Sequence, residues 1–427
     1  MYTHIHIGLS AVNLWRRNFV VAVAALAGMA ANAGTPALMV PSEIHAAPGV
    51  ECNVYYHTIT DAIKPDRYGY DAQCNVGKSL GDRWAWTPTA ADAGRRESLV
   101  LRMWDDEHGM FNAVTTTVAV AKDGDKGRVV TIALLGDSIA NNNYQDRILM
   151  RMREAGFANY RPVGSRTGSS AAPVGQHEEG RAAHDCYGGY GFAALLTSYK
   201  FSVEELDNTH AEAEREQLMK LGVVKIESSW AWRRNLLKSP LLSYSGGKVQ
   251  VDVQGWFDRI NGGKAPDVIM ISTGSGDMCG ADPLPGGVEK VLGERTIFWA
   301  RKLLAALRAA APDALIVLEK PPSGSNDDYP FGKAYNTVTG FGFRRNMHAL
   351  YRAYDKLVKE LGDPKIVTVA GYMNVDPVAG YPRKLEPFNR CSEETQLRCA
   401  NALHQSPAGG AQYGDAVYAE LRHLLFE

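Results

Sequence analysis

Cysteine is scarce in this chain and never arranged as a cage: six stand among 427 residues, at Cys52, Cys74, Cys186, Cys279, Cys391 and Cys399, with no Cys-x-x-Cys pair. That argues against a zinc cage. Charge of one sign is missing too. Lys plus Arg (46) and Asp plus Glu (47) leave a formal charge of −1, and no basic stripe with interleaved aromatics runs through the sequence, so no nucleic-acid partner is expected. Gly262-Gly263 and Gly286-Gly287 lack a Walker lysine or a dinucleotide fingerprint, so they read as turns and no nucleotide cofactor is implied. No internal repeat or low-complexity tract is evident. The 45% hydrophobic and 22% charged content is that of a soluble globular protein, neither disordered nor polytopic. At this length two domains fit more easily than one.

The amino terminus reads as an address. Arg16-Arg17 precede an apolar run over 19–31, and Ala31-Asn32-Ala33 is a small-x-small cleavage site before Gly34. Residues 1–33 are therefore expected to be a signal peptide and the protein to be secreted or periplasmic, with no integral membrane association after cleavage. A retained anchor is the alternative, although the run is short for the ~20 residues of a spanning helix. In an exported chain six cysteines suggest disulfides, with fifteen full pairings open. Proximity in sequence favours Cys52–Cys74 and Cys391–Cys399, leaving Cys186 and Cys279; free buried thiols are the other reading.

From about residue 49 to 122, short segments rich in β-branched and aromatic residues (50–56, 68–76, 98–104, 112–121) predict a small all-β sandwich. Leu99, Leu101 and Met103 fall on one face of a strand, as a period of two requires. The stretch Arg83-Trp84-Ala85-Trp86 and the strand ending at Trp104 resemble immunoglobulin-like modules beside secreted bacterial hydrolases. A polar joint follows at 122–127. Beyond it the rhythm changes to nearly continuous apolar runs (128–135, 267–272, 315–320, 366–372) separated by helical patterns, clearest over 289–311. That alternation predicts an α/β domain over 128–427 with a parallel sheet between helices and its chemistry at the carboxyl ends of the strands. The acidic segment 202–220 is expected to be an inserted, solvent-facing helix.

Gly136-Asp137-Ser138 directly follows the first of these strands, where a serine would project into the crevice at the strand end. Near the other terminus, Asn401-Ala402-Leu403-His404 offers an imidazole of ordinary pKa near 6.5, able to take a hydroxyl proton, with Asn401 three positions earlier to hold its other nitrogen. His177, Glu178, His184 and Asp185 make a metal-like cluster, but their spacing does not put two imidazoles on one helix face, and no metal is expected.

Taken together these blocks resemble the SGNH, or GDSL-like, hydrolases. Gly136-Asp137-Ser138 matches the family's first block, and Tyr187-Gly188-Gly189-Tyr190 resembles its glycine block. Gly274-Ser275-Gly276-Asp277 is similar to its Gly-x-Asn-Asp, and Asn401-Ala402-Leu403-His404 to its terminal Asp-x-x-His. The resemblance spans about 128–427 in the family's order. It implies a three-layer α/β/α, flavodoxin-like fold with Ser138 as nucleophile, His404 as base and Asn401 as the base's support. Backbone N–H groups of Ser138 and Gly189, with Gly276, would form the oxyanion hole. Cys186 and Cys279, beside two blocks that line one crevice, would approach each other. The implied activity is acyl transfer to water from a small-molecule or polysaccharide ester, with O-acetyl groups the expected substrate class and no cofactor.

Two departures stand out. Gly276 replaces the asparagine whose side chain donates to the oxyanion, a loss on the order of 10²–10³ in turnover. Asn401 replaces the usual aspartate and cannot neutralise an imidazolium. A catalytically impaired carbohydrate-binding protein on the same fold and a lipase-like esterase are the alternatives, and the run Asn141-Asn142-Asn143 is the first place to look for a substitute donor.

Overall fold

The structure, a computed structural model, describes residues 36–141, 144–168, 178–197, 239–245, 248–282, 286–334 and 339–426. The expected signal peptide and the expected helix at 202–220 lie outside these residues, as do His177, Asn142 and Asn143. Every element named below lies within Leu38–Glu427.

Among the described residues seven strands come first: β1 (Glu43–Ala46), β2 (Cys52–Tyr55), β3 (Gly69–Gln73), β4 (Lys78–Ser79), β5 (Arg83–Trp86), β6 (Arg96–Asp105) and β7 (Gly109–Val120). They form one sheet in the order β1-β7-β6-β3 and another in the order β2-β5-β4. All pairings are antiparallel except that of β1 with β7. In β6 the buried residues are Leu99, Leu101 and Met103, with Val100 and Arg102 between them half-exposed, the alternation of a strand with one face on a core. Leu99 and Leu101 share that core with Val54, Trp84 and Val118, so the two sheets are joined through their apolar faces.

The remaining strands are β8 (Val130–Gly136), β9 (Tyr160–Val163), β10 (Asp185–Cys186), the hairpin β11 (Leu242–Ser245) and β12 (Lys248–Val251), β13 (Val268–Ser272), β14 (Leu315–Glu319), β15 (Ile366–Val369), and the hairpin β16 (Arg383–Pro387) and β17 (Thr395–Cys399). Strands β10-β8-β13-β14-β15 make a parallel sheet, and β9 pairs with the first half of β8. The main helices are α1 (Tyr144–Glu154), α2 (Val253–Asn261), α3 (Ser275–Cys279), α4 (Ile297–Ala310), α5 (Gly340–Leu361) and α6 (Pro407–Phe426). The chain is thus mixed α/β around a parallel sheet.

Successive sheet residues look into two different cores. Ala133, Leu135, Ile269, Ile271, Ile316 and Leu318 pack with Trp256 of α2, Leu303 and Leu307 of α4, and Leu350 and Tyr354 of α5. Ile132, Leu134, Val268, Met270 and Val317 pack with Ile148 and Met152 of α1 and Val417 and Leu421 of α6. A strand apolar on both faces must be covered on both, and each buried Leu or Ile contributes roughly 1.5–3 kcal/mol. Among the described residues no helix is long and apolar enough to cross a membrane.

All six cysteines are free thiols, which departs from the disulfide expectation. Cys391 lies in the turn that joins β16 to β17, while Cys399 is four residues down β17. At ~3.4 Å per residue that is ~13 Å, beyond the reach of one bridge. Cys186 belongs to one core of the parallel sheet and Cys279 packs against the other, each as a free thiol. Cys52 is buried, which pushes its thiol up to about 12.

Candidate active site

Strand β8 ends at Gly136, flanked in register by Cys186 of β10 and Ser272 of β13. The fit is too close for any side chain: a Cβ on Gly136 would stand 2.4 Å from the Ala140 Cβ and 2.8 Å from the Ser272 carbonyl oxygen. The chain then turns. The Asp137 N–H donates to the Ser272 carbonyl (3.0 Å), and its Oδ1 accepts the Ile139 N–H (2.8 Å). Asp137 Oδ2 accepts the Ser275 hydroxyl at 2.8 Å, tying the turn to the first residue of α3. Burial raises the Asp137 carboxyl to about 6 against the pull of those donors.

Ser138 is left half-buried at the apex of this turn, with its Oγ 2.8 Å from His404 Nε2. His404 arrives on the loop between β17 and α6, held where the Ser325 N–H donates to the Ala402 carbonyl at 2.9 Å. Asn401 Oδ1 accepts the N–H groups of Leu403 and His404, both at 3.0 Å, and faces His404 Nδ1 at 3.3 Å. Two backbone donors fix that atom as the amide oxygen, so Nδ1 carries the ring proton and Nε2 presents its lone pair to the serine hydroxyl. Burial holds the His404 pKa below the ordinary imidazole value, which keeps the ring neutral near pH 7. This is a hydroxyl paired with an unprotonated base.

The glycine block occupies the next strand end. Tyr187 N–H donates to the Gly136 carbonyl (2.9 Å), and the Tyr190 N–H closes a turn onto the Tyr187 carbonyl (3.2 Å). Gly189, at φ 76°, takes the left-handed position that such a turn requires. The root of this loop is fixed by Asp185, which is fully buried and accepts from Tyr187 Oη (3.0 Å) and Trp256 Nε1 (2.9 Å). Gly276 lies in α3, exposed, and a Cβ built on it meets nothing within 4 Å. Strands β10, β8 and β13 end side by side at Cys186, Gly136 and Ser272, so Gly189, Ser138 and Gly276 all leave the same edge of the sheet.

Of the metal-like cluster read from the sequence, the described histidine, His184, has both ring nitrogens engaged. His184 Nε2 donates to the Gly168 carbonyl (2.9 Å) and Nδ1 accepts the Cys186 N–H (3.1 Å), while Glu178 pairs with Arg181 at 2.9 Å. Asn141, the described member of the asparagine run, is buried with its Oδ1 unpaired.

Sequence reasoning missed Ser275, which steadies Asp137, and Glu319. The latter ends β14 fully buried, accepting the Tyr144 hydroxyl (2.8 Å) and the Tyr413 hydroxyl (2.9 Å), and burial raises it to about 7. A charged residue closing an apolar strand was the available signal.

No protein-family model matches the chain, and no curated protein does. Among solved structures, an acetyl esterase mutant with acetate ion aligns at 14% identity and a TM-score of 0.36, covering 69% of this chain and 98% of that one. A carbohydrate esterase family 3 structure from Talaromyces cellulolyticus aligns at 13% identity and 0.37, over 69% and 98%. A family two carbohydrate esterase from Cellvibrio japonicus covers 91% of this chain and 94% of its own at 13% identity and 0.32. At these scores the likeness is loose, and the chemistry of the chain rests on its own residues.

Proposed function

We propose that this protein is a serine esterase of the SGNH type, with Ser138 as nucleophile and His404 as general base. The observation that carries the reading is the 2.8 Å approach of His404 Nε2 to Ser138 Oγ, with Asn401 fixing the tautomer from the far side of the ring. Ser138 Oγ attacks an ester carbonyl carbon as its proton passes to His404 Nε2. The oxyanion is received by backbone N–H groups at the strand ends, those of Ser138 and Gly189 in the first place. His404 then protonates the departing alcohol, leaving an acyl group on Ser138. Water then attacks the acyl carbon as it gives a proton to His404, and when the bond from that carbon to Ser138 Oγ breaks, His404 returns the proton to Oγ and the acid leaves.

In this reading residues 128–427 form a three-layer α/β/α hydrolase domain, and 49–122 an immunoglobulin-like sandwich beside it. The protein is exported behind residues 1–33 and acts on O-acetyl groups of carbohydrate, the substrate class that the motif resemblance implies. Ser138→Ala tests the central claim: hydrolysis of a short p-nitrophenyl ester should vanish with the circular dichroism unchanged, and residual activity within about tenfold of the parent would put the nucleophile elsewhere. A carbohydrate-binding protein without turnover is the second reading, favoured by the bare Gly276. It predicts no hydrolysis by the parent and retained glycan binding by Ser138→Ala.

A further inference from the structure

A second constellation of chemistry-bearing side chains lies away from the parallel sheet's carboxyl edge, between the first strand and the last helix. Glu43 and His45 stand two apart on β1 and therefore share one face, while Glu420 and His423 stand three apart near the end of α6 and share another. The two pairs meet. His45 Nδ1 faces Glu420 Oε2 at 2.5 Å and its Nε2 faces Glu43 Oε1 at 3.0 Å. His423 stacks on His45 with ring centroids 3.9 Å apart, and its Nε2 lies 3.9 Å from the same Glu43 oxygen. One atom each of Glu43, His45 and His423 fall within 4.8 Å of one another, and all three residues are half-buried.

A neutral imidazole has one N–H and one lone pair. His45 has a carboxylate oxygen at each nitrogen, so a neutral ring with its proton on Nδ1, donated to Glu420, would set the Nε2 lone pair against a lone pair of Glu43. A cation on that side removes the repulsion. The arrangement is that of a metal-binding histidine whose other nitrogen is held by an outer carboxylate. Arg96 grips Glu43 through both guanidinium nitrogens, one of them at 3.1 Å from Oε1, which fixes the carboxylate.

We propose that Glu43, His45 and His423 bind one divalent transition-metal ion of the zinc type, with Glu420 orienting His45. Two imidazoles and a carboxylate suit such an ion, and ligand atoms roughly 3.3 Å apart are what bonds of 2.0–2.1 Å in a tetrahedron require. His45 Nε2 and His423 Nε2 stand 3.0 and 3.9 Å from Glu43 Oε1, and one ligand atom from each of the three residues lies within 4.8 Å of the others, so closing the site asks for a rotation of the partly exposed His423 while Glu420 keeps His45 in place. The ion would pin β1 to the final helix, a structural role independent of Ser138.

The test is calorimetric titration of Zn²⁺ into the full-length chain after chelator treatment. The expected result is one ion per chain with a Kd of ~1 µM or tighter, weakened at least ~100-fold in His423→Ala and ~10–100-fold in Glu420→Gln. His423 is partly exposed, so its variant is expected to fold even if His45→Ala does not. Zn²⁺ should also raise the Tm of the parent and not that of His423→Ala. The chain carries two more imidazoles at His4 and His6, so comparison with the variant decides. A parent that binds no tighter than ~100 µM, or a His423→Ala protein that binds as the parent does, overturns the proposal. The first outcome leaves His45 a protonated bridge between two carboxylates.

Discussion

His404 sits at the carboxyl edge of the parallel sheet with an amide oxygen at one nitrogen and a hydroxyl at the other, whereas His45 on β1 has a carboxylate at each. Both are half-buried, and burial pushes both rings towards the neutral form. For His404 nothing opposes that push, and its pKa stays below the ordinary value. For His45 the hydrogen bonds and charges of Glu420 and Glu43 together outweigh burial, and its pKa rises. The partner atom decides the chemistry of the ring. An amide oxygen directs the proton to Nδ1 without holding a second one, which leaves a base; two carboxylates demand a cation, which leaves a ligand or a clasp.

The comparison breaks most completely if His404 is not a base. Ser138→Ala and His404→Ala should each lower kcat/KM on a short acetyl ester by at least ~10³-fold, about 4 kcal/mol of transition-state stabilisation, and the double variant should be little worse than either. Losses that multiply would mean the two side chains act independently despite their 2.8 Å contact.

A smaller effect comes from giving His404 the partner that His45 has. The base is the neutral ring, so kcat/KM should rise with pH along a limb whose apparent pKa lies below ~6.5. Asn401→Asp places a carboxylate at Nδ1 and stabilises the imidazolium that forms as Ser138 gives up its proton. The limb should move to higher pH and the plateau rise about tenfold, or 1.4 kcal/mol. A pH profile that does not move would show that Asn401 Oδ1 serves its two backbone donors and not the ring.

Carboxyls give the same contrast a stability readout. Glu319, raised to about 7, is bound by two tyrosine hydroxyls and no cation. A carboxyl whose folded pKa exceeds its unfolded value contributes most when protonated in both states, and that contribution is lost as pH rises from ~4.5 to 7. Relative to Glu319→Gln, the parent should therefore lose at least ~1 kcal/mol over that interval in urea midpoints measured at each pH. Parallel curves would mean that the hydroxyls hold the carboxylate ionised.

The smallest change concerns Gly276. Open space around it means that Gly276→Asn needs no repacking, and a new donor at the crevice should raise kcat/KM severalfold, under about 1.4 kcal/mol. No change would place Gly276 outside the oxyanion position.

Much of the parallel-sheet half was legible because its strands are apolar on both faces: 267–272 and 315–320 announce burial by composition alone and appear as Val268–Ser272 and Leu315–Glu319. Period two exposed β6 through Leu99, Leu101 and Met103 for the same reason. The pairing of Ser138 with His404 was legible only because two short blocks, 266 residues apart, resemble a family in order. What stayed hidden depends on side chains meeting across the fold. Nothing local to Ser275 says that it will hold Asp137, and Glu43-Ile44-His45 and Glu420-Leu421-Arg422-His423 are unremarked until β1 lies against α6. Cysteine count misled because it carries no geometry: Cys186 and Cys279 pack against different cores, and the length of β17 sets Cys399 away from Cys391.

The most direct measurement is labelling of the folded chain with a fluorophosphonate, followed by peptide mass spectrometry, in the parent and in His404→Ala. A serine activated by its histidine should carry the phosphonyl adduct on Ser138, stoichiometrically in the parent and at least ~10²-fold more slowly in the variant. An unlabelled parent, an adduct on another residue, or equal labelling of Ser138 with and without His404 would contradict the account.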